Sequence, residues 1–484
     1  MVWQEPAISQ RQGKKPLNRD SASSGSSRRL SRKCSRNPLK HSNMINLYEH
    51  QQRSLDQTLD KNRVAYYLDM GLGKTFVGSE KAASFPEKIL VVCQYSKIQD
   101  WIEHFQQNYP FTVFDLTEKK QLTEYLVTVG KCVGVINYDL VFRRSDIAHI
   151  SNFTLMLDES SLIQNETAKR SKFILKLNPK NVILLSGTPT SGKYEKLWSQ
   201  LHLLGWNISK KLYFKQYVIQ EWIDDGDSGF KIPIVVGYKN VDRLKEKLAS
   251  YGAVFMKTEE AFELPEQVDI PIKVPASSDY RRFMRKDVVT VNRLDTGVTG
   301  WKITMEAELI GDTSLTKRLY ARMLCGQYNV NKLQAFEDLI QGTNERLIVF
   351  YNFKEEFQLL LQIAANHGKN ISFVNGEKKD LSSYEQFDDS ITFIQYQAGA
   401  MGLNLQKANQ IVYFTLPERP DLFEQSKKRI HRIGQEKRCF YYYLLCENSV
   451  ELDILENLKM RKEYNDALFQ KYDEETKRKD EHDG

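Results

Sequence analysis

Short apolar runs recur along the chain, separated by longer segments whose apolar positions follow helical spacing. Runs of about four to eight apolar residues are typical of strands buried in a parallel sheet, and helical spacing is typical of amphipathic helices. The apolar runs lie at 89–93, 133–136, 153–157 and 182–185, and again at 347–350, 371–374, 391–394, 411–414 and 441–444. This alternation predicts an α/β fold with two units, each a mostly parallel sheet flanked by helices.

The same pattern divides the 484 residues into five segments. We expect the first α/β unit at 44–205 and the second at 341–450, with a region of helical insertions at 206–340 between them. The other segments are a tail at 1–43 and a C-terminal helix with a charged tail at 451–484, the helix packing on the second core. A chain of this length accommodates roughly three domains, so two large cores are feasible.

The tail at 1–43 carries the excess positive charge. It contains ten Lys and Arg residues against two Asp and Glu residues, a net charge of +8, whereas the whole chain carries +7, so the remainder carries −1. A Ser- and Arg-rich segment with few apolar residues is expected to be disordered. The sequence M-I-N-L at 44–47 resembles a natural start, which favours an artefact of the reading frame; a nucleic-acid-binding arm is the alternative. Overall basicity is therefore no evidence that the rest of the chain binds nucleic acid.

Membrane, zinc and disulfide classes are disfavoured. No apolar run approaches the roughly 20 residues of a membrane span. The six cysteines are scattered and form no C-x-x-C pair, which argues against a zinc site and against a disulfide framework. We therefore expect a protein of a reducing compartment.

A glycine-rich segment, D-M-G-L-G-K-T, ends at Thr75 and follows an apolar run. Gly71 and Gly73 allow the backbone to approach a triphosphate, whose charge is met by N–H groups and by the positive end of the next helix. Lys74 then reaches the β- and γ-phosphates, and the Thr75 hydroxyl can bind Mg²⁺. The longer form of this motif has a glycine where Leu68 stands, so an ordinary glycine-rich turn remains the alternative until other motifs are counted.

Polar residues follow two further apolar runs. Asp158 and Glu159 come directly after 153–157, where Asp158 would hold Mg²⁺ and Glu159 would orient and deprotonate a water molecule. Alone, such an acidic pair is more often a charge pair at a helix N-terminus. Ser186 and Thr188 follow the next run, where small hydroxyl residues can couple a nucleotide site to a neighbouring surface.

Seven segments in this order resemble the superfamily 2 helicases and translocases, and within them the Swi/Snf-like branch. The ending R-I-H-R-I-G-Q is highly specific to that branch. The resemblance spans 48 to about 451 and implies two RecA-like lobes that use ATP and Mg²⁺ and act on DNA. The segments are Y-E-H-Q at 48–51, D-M-G-L-G-K-T at 69–75, D-E-S-S at 158–161, S-G-T-P at 186–189, E-K-L-W at 195–198, Q-A-G-A-M-G-L-N-L-Q at 397–406 and Q-S-K-K-R-I-H-R-I-G-Q at 425–435.

The resemblance also implies roles for individual residues. It makes Gln51 the residue that reads adenine and places Gly402 at the ATP site. It assigns Gln425 and Gln435 to coupling or to nucleic-acid contact. Ser161 stands where the family often has histidine, so a role tied to that histidine does not carry over.

Two arginines, Arg429 and Arg432, lie three residues apart in the second half. This spacing predicts that both project from one face of a helix. Planar guanidinium groups can stabilise charge on a transferring phosphoryl group, as arginine fingers do, provided that the second lobe closes on the first. A solvated basic face is the alternative, because Lys427 and Lys428 adjoin them.

These residues and the resemblance predict an ATP- and Mg²⁺-dependent motor that moves along nucleic acid as a monomer, with duplex DNA favoured over single-stranded DNA or RNA. A strand-separating helicase is the alternative of the same class, and a scaffold with a static nucleotide site is the alternative of another class. No chromatin-reading, zinc-binding or nuclease module is recognisable in the sequence. We therefore favour a compact phage or prokaryotic motor in the cytoplasm over a nuclear one.

Overall fold

The computed structural model describes residues 45–224, 231–297, 300–399 and 403–469, all within one structural unit, Asn43–Gly484. The predicted tail at 1–43 and the end of the chain at 470–484 lie outside the described residues. In chain order the strands are β1 (Arg63–Leu68), β2 (Lys88–Cys93), β3 (Thr112–Asp115), β4 (Cys132–Asn137), β5 (Phe153–Asp158), β6 (Asn181–Leu185), β7 (Val218–Asp224), β8 (Lys231–Tyr238), β9 (Ala253–Met256), β10 (Gln267–Val274), β11 (Val288–Gly297), β12 (Gly300–Ile310), β13 (Leu347–Tyr351), β14 (Ile371–Val374), β15 (Lys379–Asp380), β16 (Ile391–Gln395), β17 (Gln410–Tyr413) and β18 (Cys439–Cys446).

Helices connect most of these strands. They are α1 (Glu49–Asp56), α2 (Lys74–Ser84), α3 (Ile98–Asn108), α4 (Lys119–Val127), α5 (Tyr138–Val141), α6 (Lys169–Lys176), α7 (Trp198–Leu203), α8 (Lys210–Tyr217), α9 (Val241–Ser250), α10 (Ser278–Lys286), α11 (Ser314–Cys325), α12 (Val330–Gln341), α13 (Lys354–Asn366), α14 (Ser382–Gln386), α15 (Tyr396–Gly399), α16 (Pro420–Lys427) and α17 (Val450–Phe469). None of the described helices is long and apolar enough to cross a membrane.

The first lobe is built on a seven-stranded, all-parallel sheet in the order β3-β4-β2-β5-β6-β1-β9. Successive residues of a strand point to opposite faces, and both Leu155 and Met156 of β5 are fully buried. The sheet is therefore covered on both faces, which explains why its strands read as continuous apolar runs.

The second lobe repeats this arrangement in the order β10-β18-β17-β13-β16-β14-β15. Its strands are parallel except for the short β15, which is antiparallel to β14. Ile348 and Val349 of β13 are both fully buried, so this sheet is also covered on both faces. The predicted α/β fold with two mostly parallel sheets flanked by helices is confirmed.

The region at 206–340 differs from the expected helical insertion. β9 completes the first sheet beside β1, and β10 forms one edge of the second sheet beside β18. The hairpins β7–β8 and β11–β12 also lie in this region, together with helices. Both sheets thus extend into it. β10 alternates exposed and half-buried residues because it is an edge strand, so it lacks the continuous apolar signal of a central strand.

The last described helix, α17, reaches both lobes. Its first half contributes Ile454 and Leu458 to the core of the second lobe. Its far end packs Tyr464 against Tyr194 and Tyr238 of the first lobe, with ring centroids 6.2 and 4.9 Å apart. The helix therefore packs on both lobes, whereas the sequence predicted packing on the second core.

Candidate active site

The glycine-rich segment forms a loop between β1 and α2. Gly73 is the N-cap of α2 and Gly71 lies two residues earlier, both with positive φ, 73° and 90°. Only glycine adopts such angles without strain. A Cβ at Gly73 would also overlap the side chain of Gln51. The loop therefore exposes backbone N–H groups at the positive end of α2, an arrangement that can bind phosphate.

Gln51 holds this loop from the side. Its Oε1 accepts a hydrogen bond from the backbone N–H of Tyr48 at 3.0 Å, and its Nε2 donates to the Leu72 carbonyl at 3.1 Å. The side chain is 4 % exposed. The structure thus places Gln51 against the loop, with its amide bonded to backbone groups.

Lys74 opens α2 and directs its ammonium group back toward the end of β1. Nζ donates to the carbonyls of Leu68 at 2.9 Å and Asp69 at 3.2 Å. Burial lowers the pKa of Lys74, while the carboxylates of Glu159 and Asp158 oppose that shift. A partly buried ammonium group that is bonded only to carbonyls in the described chain is suited to binding an anion.

Asp158 and Glu159 occupy the same sheet edge, because the C-terminal ends of parallel strands meet there. The Trp101 indole donates from Nε1 to Asp158 Oδ2 at 2.8 Å, and the Tyr138 hydroxyl donates to the Asp158 carbonyl at 3.0 Å. Burial raises the pKa of Asp158. Its carboxylate is thereby fixed in orientation and faces the site.

Glu159 has a left-handed backbone conformation with φ 56°, which is unusual for a non-glycine residue and is enriched at functional sites. Its Oε1 accepts hydrogen bonds from the hydroxyls of Ser161 and Ser186, each at 2.9 Å. Burial raises the pKa of Glu159, although Lys74 opposes the shift. Ser161 therefore orients this carboxylate.

Ser186 and Thr188 link the carboxylate to the end of β6. Ser186 Oγ donates to Glu159 and accepts from the Thr188 backbone N–H at 3.1 Å. Thr188 Oγ1 is buried and has no hydrogen-bond partner within the described chain. An unpaired buried hydroxyl beside the phosphate loop is a donor that a ligand can satisfy.

The second lobe brings two arginines to the same place, but not from a helix. α16 ends at Lys427, and Arg429 and Arg432 lie on the turns that follow, so the prediction of one helical face is wrong. Arg429 is 2 % exposed and donates to the Leu403 carbonyl at 3.4 Å, while Arg432 donates to Asn404 Oδ1. Burial, followed by repulsion from Arg432, lowers the pKa of Arg429 to about 10, so it stays charged at neutral pH.

Gln435 holds those turns in place. Its Nε2 donates to the carbonyls of Gln406 at 3.1 Å, Ala408 at 2.8 Å and Ile430 at 3.2 Å. Its buried amide therefore joins the loop before β17 to the arginine-bearing turn, whereas the resemblance assigned it to coupling or nucleic-acid contact. Gly402, the other residue placed at the ATP site by resemblance, lies outside the described residues.

A cavity of about 260 Å³ lies between the two lobes. From the first lobe it is lined by Gly71, Lys74 and Thr75 and by Asp158, Glu159 and Thr188, and from the second lobe by Gln425 and both arginines. The predicted residues Gln51, Gly73, Ser186 and Gln435 do not line it.

Four lining residues of this cavity lie outside every segment that the sequence singled out, namely Gln94, Lys97, Asp100 and Trp101. Gln94 and Lys97 come soon after the end of β2 at the same sheet edge, and that position was the available signal. Asp100 and Trp101 lie on α3, which that rule does not reach.

The donor set fits a nucleoside triphosphate with a divalent cation. Lys74 and the N-terminus of α2 supply positive charge for phosphates, and Thr188 supplies the unpaired buried hydroxyl. The hydroxyl of Thr75 and the carboxylate of Asp158 are the oxygen ligands that Mg²⁺ prefers, and both residues line the cavity.

A second, larger cavity of about 660 Å³ adjoins this site and is also lined by both lobes. We call it the interlobe cleft. Lys193, Lys196 and Arg170 line it on the first lobe. Burial lowers the pKa of Lys193, and the positive charges of Arg461 and Lys196 lower it further. The second lobe adds Glu418, Arg419 and Asp421 to the lining, so the positive charge is concentrated on the first-lobe side of the cleft, where it can attract anions.

Comparison with known proteins places these features in a family. Residues 49–325, more than half of the chain, match the SNF2-related domain, and residues 331–434 match the helicase conserved C-terminal domain. The chain is 23 % identical to the ISWI chromatin-remodeling complex ATPase ISW1 of Saccharomyces cerevisiae, over 87 % of this chain and 40 % of that protein. It is 24 % identical to the DNA annealing helicase and endonuclease ZRANB3 of Mus musculus, over 79 % and 37 %.

A bacterial protein and a solved structure are also similar. The chain is 21 % identical to the "Putative ATP-dependent helicase/translocase YwqA" of Bacillus subtilis, over 83 % of this chain and 46 % of that protein. The Sulfolobus solfataricus SWI2/SNF2 ATPase core in complex with dsDNA matches 88 % of this chain and 94 % of its own, with 18 % identity and a TM-score of 0.41. This chain spans less than half the length of each of the three relatives named above.

Proposed function

The chain belongs to the SNF2-related family of helicases and translocases, and from that premise we propose that it is an ATP-dependent motor that moves along double-stranded DNA. The carrying observation is the cavity in which Lys74, Asp158 and Glu159 of the first lobe face Arg429 and Arg432 of the second. A site completed by two lobes can couple nucleotide turnover to lobe movement. The names of the relatives, which include an ATPase and a helicase/translocase, support the same class of activity.

The first lobe supplies binding and proton acceptance. Lys74 and the N–H groups of the phosphate loop bind the phosphates, and Thr75 and Asp158 would hold a Mg²⁺ ion, which neutralises phosphate charge when bound. Glu159 orients a water molecule and accepts its proton. A raised pKa suits that role, because a general base is most effective when its pKa lies near the working pH.

The second lobe supplies charge stabilisation. Arg429 and Arg432 stabilise the negative charge that develops on the transferring phosphoryl group, and they do so only when the lobes are closed. Arg429 retains its charge despite burial because its pKa stays far above neutrality. Turnover therefore depends on lobe closure.

The interlobe cleft is the candidate DNA-binding surface. Lys193 and Lys196 follow Thr188 on one short segment, and Thr188 is joined through Ser186 to Glu159. The segment that lines the cleft thus begins at a residue that is hydrogen-bonded through Ser186 to Glu159. DNA phosphates bound by these lysines can therefore influence the base, and the base can influence the grip on DNA.

The test is steady-state ATP hydrolysis without nucleic acid and with single-stranded DNA, blunt duplex DNA or RNA, using the Glu159→Gln variant to measure contaminating activity. Blunt duplex is expected to stimulate best, and the enzyme is expected to displace a triplex-forming third strand from a duplex while leaving a forked duplex paired. Stimulation by single strands alone, with separation of the fork, would show a strand-separating helicase. The absence of hydrolysis under all four conditions would refute the motor and favour a static nucleotide site.

A further inference from the structure

An ion pair joins the two lobes beside the nucleotide cavity. Lys428 of the second lobe places Nζ 2.7 Å from Asp69 Oδ2 and 3.6 Å from Glu259 Oε1, and both carboxylates belong to the first lobe. Asp69 is the residue at which the chain leaves β1 and enters the phosphate loop. Lys428 follows α16 directly and precedes Arg429. The pair therefore connects the start of the phosphate loop to the segment that carries the arginines.

The Asp69 carboxylate is also held in place by hydrogen bonds within its own lobe. Its Oδ1 accepts a hydrogen bond from the Met70 backbone N–H at 2.8 Å, and its Oδ2 accepts one from the Thr258 hydroxyl at 3.0 Å. The side chains of Lys428 and Asp69 are 14 % and 16 % exposed, respectively. A largely buried, pre-oriented carboxylate that loses its cation is left with an uncompensated charge, so this contact is costly to break.

The Lys428–Asp69 pair lies beside the nucleotide cavity and next to Arg429 in the chain. It borders a cavity of about 120 Å³ that shares Met70, Gly187 and Thr188 with the nucleotide cavity. Because adjacent Cα atoms are only about 3.8 Å apart, holding Lys428 on Asp69 also fixes the backbone of Arg429. A shift of roughly 1 Å in a catalytic group is enough to slow a reaction about 10²-fold.

Lys427, the residue before Lys428, forms its ion pair within one lobe. Lys427 is also largely buried, but it pairs with Asp269 of β10 at 2.9 Å, within the second lobe. The Tyr443 hydroxyl donates to the same carboxylate at 2.8 Å. Of two adjacent lysines, one is thus bound to its own lobe and the other to the opposite lobe.

We propose that the Lys428–Asp69 ion pair docks the second lobe on the phosphate loop and thereby positions Arg429 and Arg432 at the triphosphate. Lys428 is a positioning residue, since it acts through the arginines and does not line the nucleotide cavity. The consequence for turnover rests on the proposed ATPase function, whereas the docking itself does not.

The docking is tested without nucleotide by single-molecule fluorescence energy transfer between dyes on cysteines introduced at Lys120 and Glu377, one on each lobe. These side chains are 88 % and 75 % exposed, whereas the five described native cysteines are buried, and Cys34 is replaced by serine. Lys428→Met is expected to shift molecules to a longer interlobe distance. Lys427→Met, the matched control, is expected to keep the wild-type distribution.

Turnover is measured with the same variants. Lys428→Met is expected to lower kcat about 10- to 100-fold with a change of less than about threefold in the affinity for an ATP analogue, because it misplaces the arginines and leaves the phosphate loop intact. Lys428→Arg is expected to restore most of kcat. A variant that merely destabilised the fold would lower the fraction of active protein. The protein that remained folded would then keep the wild-type kcat and the wild-type affinity for the analogue.

Asp69→Asn/Lys428→Met removes both charges and is used if the single variant does not fold, since it leaves no unpaired carboxylate at position 69. Glu259, which also loses Lys428, is half exposed and can be solvated. Wild-type interlobe distances in Lys428→Met or in this double variant would overturn the proposal. An equal reduction of kcat in Lys427→Met and Lys428→Met would also overturn it. If the wild type hydrolyses no ATP, the proposed function fails, but the distance measurement still decides whether the ion pair docks the lobes.

Discussion

At the scale of single residues, Glu159 combines three features that suit a general base. Its backbone is left-handed directly after β5, two serine hydroxyls orient one carboxylate oxygen, and burial raises its pKa. Lys74 nearby opposes that rise, so the ionised form remains accessible. Within the described chain the carboxylate forms no ion pair. It is therefore oriented and able to accept a proton.

Glu159→Gln is expected to lower kcat about 10²- to 10⁴-fold while ATP binding is retained, because the amide keeps its size but accepts no proton. In the wild type, kcat is expected to fall on acidification at a pH above the ordinary range of a glutamate, since a raised pKa means that the base is protonated earlier. Initial rates from pH 5 to 9 and equilibrium binding of an ATP analogue measure both effects. Wild-type turnover in Glu159→Gln would show that another group is the base.

The sequence predicts residues of the site where they directly follow strands. Lys74, Asp158 and Glu159 could be placed together because parallel strands end at one sheet edge. Trp101 could not, since its indole reaches Asp158 from α3, and no sequence rule relates that helical position to β5. The two arginines were correctly brought to the cavity, but their geometry was mistaken because nothing in K-K-R-I-H-R marks the end of α16 at Lys427.

At the scale of elements, the start of α13 contains a buried acid. Glu356 Oε2 accepts hydrogen bonds from the backbone N–H groups of Asn352 and Phe353 and from the Thr415 hydroxyl. Its Oε1 has no partner within the described chain. Burial raises the pKa of Glu356 from 4.5 to about 7. The carboxyl caps α13 but is costly to ionise there.

This acid predicts a pH-dependent stability. The folded protein holds the Glu356 proton more tightly than the unfolded chain, so the group stabilises the fold at low pH and that stability is lost as the pH rises from about 4.5 to about 7. Between pH 5 and 9, the free energy of unfolding of Glu356→Gln is expected to rise relative to the wild type by roughly 2 to 3 kcal/mol. Urea unfolding at both pH values measures the difference, and a difference independent of pH would mean that Glu356 is ionised throughout.

A second element-scale prediction concerns the docking of α17 on the first lobe. Gly192 has φ 70°, and a Cβ there would overlap the Arg461 carbonyl, while Arg461 Nη1 donates to the Gly192 carbonyl at 3.2 Å. Gly192→Ala is therefore expected to release the end of α17, seen as faster hydrogen–deuterium exchange over 459–469. Gly368→Ala is the control, because Gly368 has φ 61° with no atom within 4 Å of a Cβ. In both variants an alanine at a positive φ costs about 1 kcal/mol of backbone strain. Only Gly192→Ala is expected to accelerate exchange in α17.

The elements themselves were predictable in proportion to their burial. Central strands such as β2, β5 and β13 are covered on both faces and read as continuous apolar runs. β9 has only four residues, and β10 is half exposed at a sheet edge, so neither stands out from a helical region. The docking of the far end of α17 was also missed, because its contacts with the first lobe through Arg461 and Tyr464 leave no pattern in a densely charged sequence.

At the scale of the whole molecule, the nucleotide cavity and the interlobe cleft are connected by one short chain of residues. From Glu159 the path runs through the Ser186 hydroxyl to the Thr188 backbone, and the same segment continues to Lys193 and Lys196 in the interlobe cleft. α17 adds a mechanical constraint, since Arg461 bonds to Gly192 beside those lysines. A change in lobe closure therefore alters the cleft and the base together.

Removing the positive charges of the cleft should separate DNA binding from nucleotide chemistry. Lys193→Ala/Lys196→Ala is expected to weaken duplex binding and to reduce the slope of log affinity against log salt concentration by about 1 for each DNA phosphate that is no longer neutralised. ATP hydrolysis without DNA is expected to change little, because neither lysine lines the nucleotide cavity.

Lys119→Ala/Lys120→Ala, which removes two exposed charges at the start of α4, is the control. Fluorescence anisotropy at several salt concentrations measures the slopes. If both double variants change the slope equally, the affinity comes from diffuse surface charge and the cleft is not the DNA site; if only the first does, the segment after Thr188 contacts the DNA backbone.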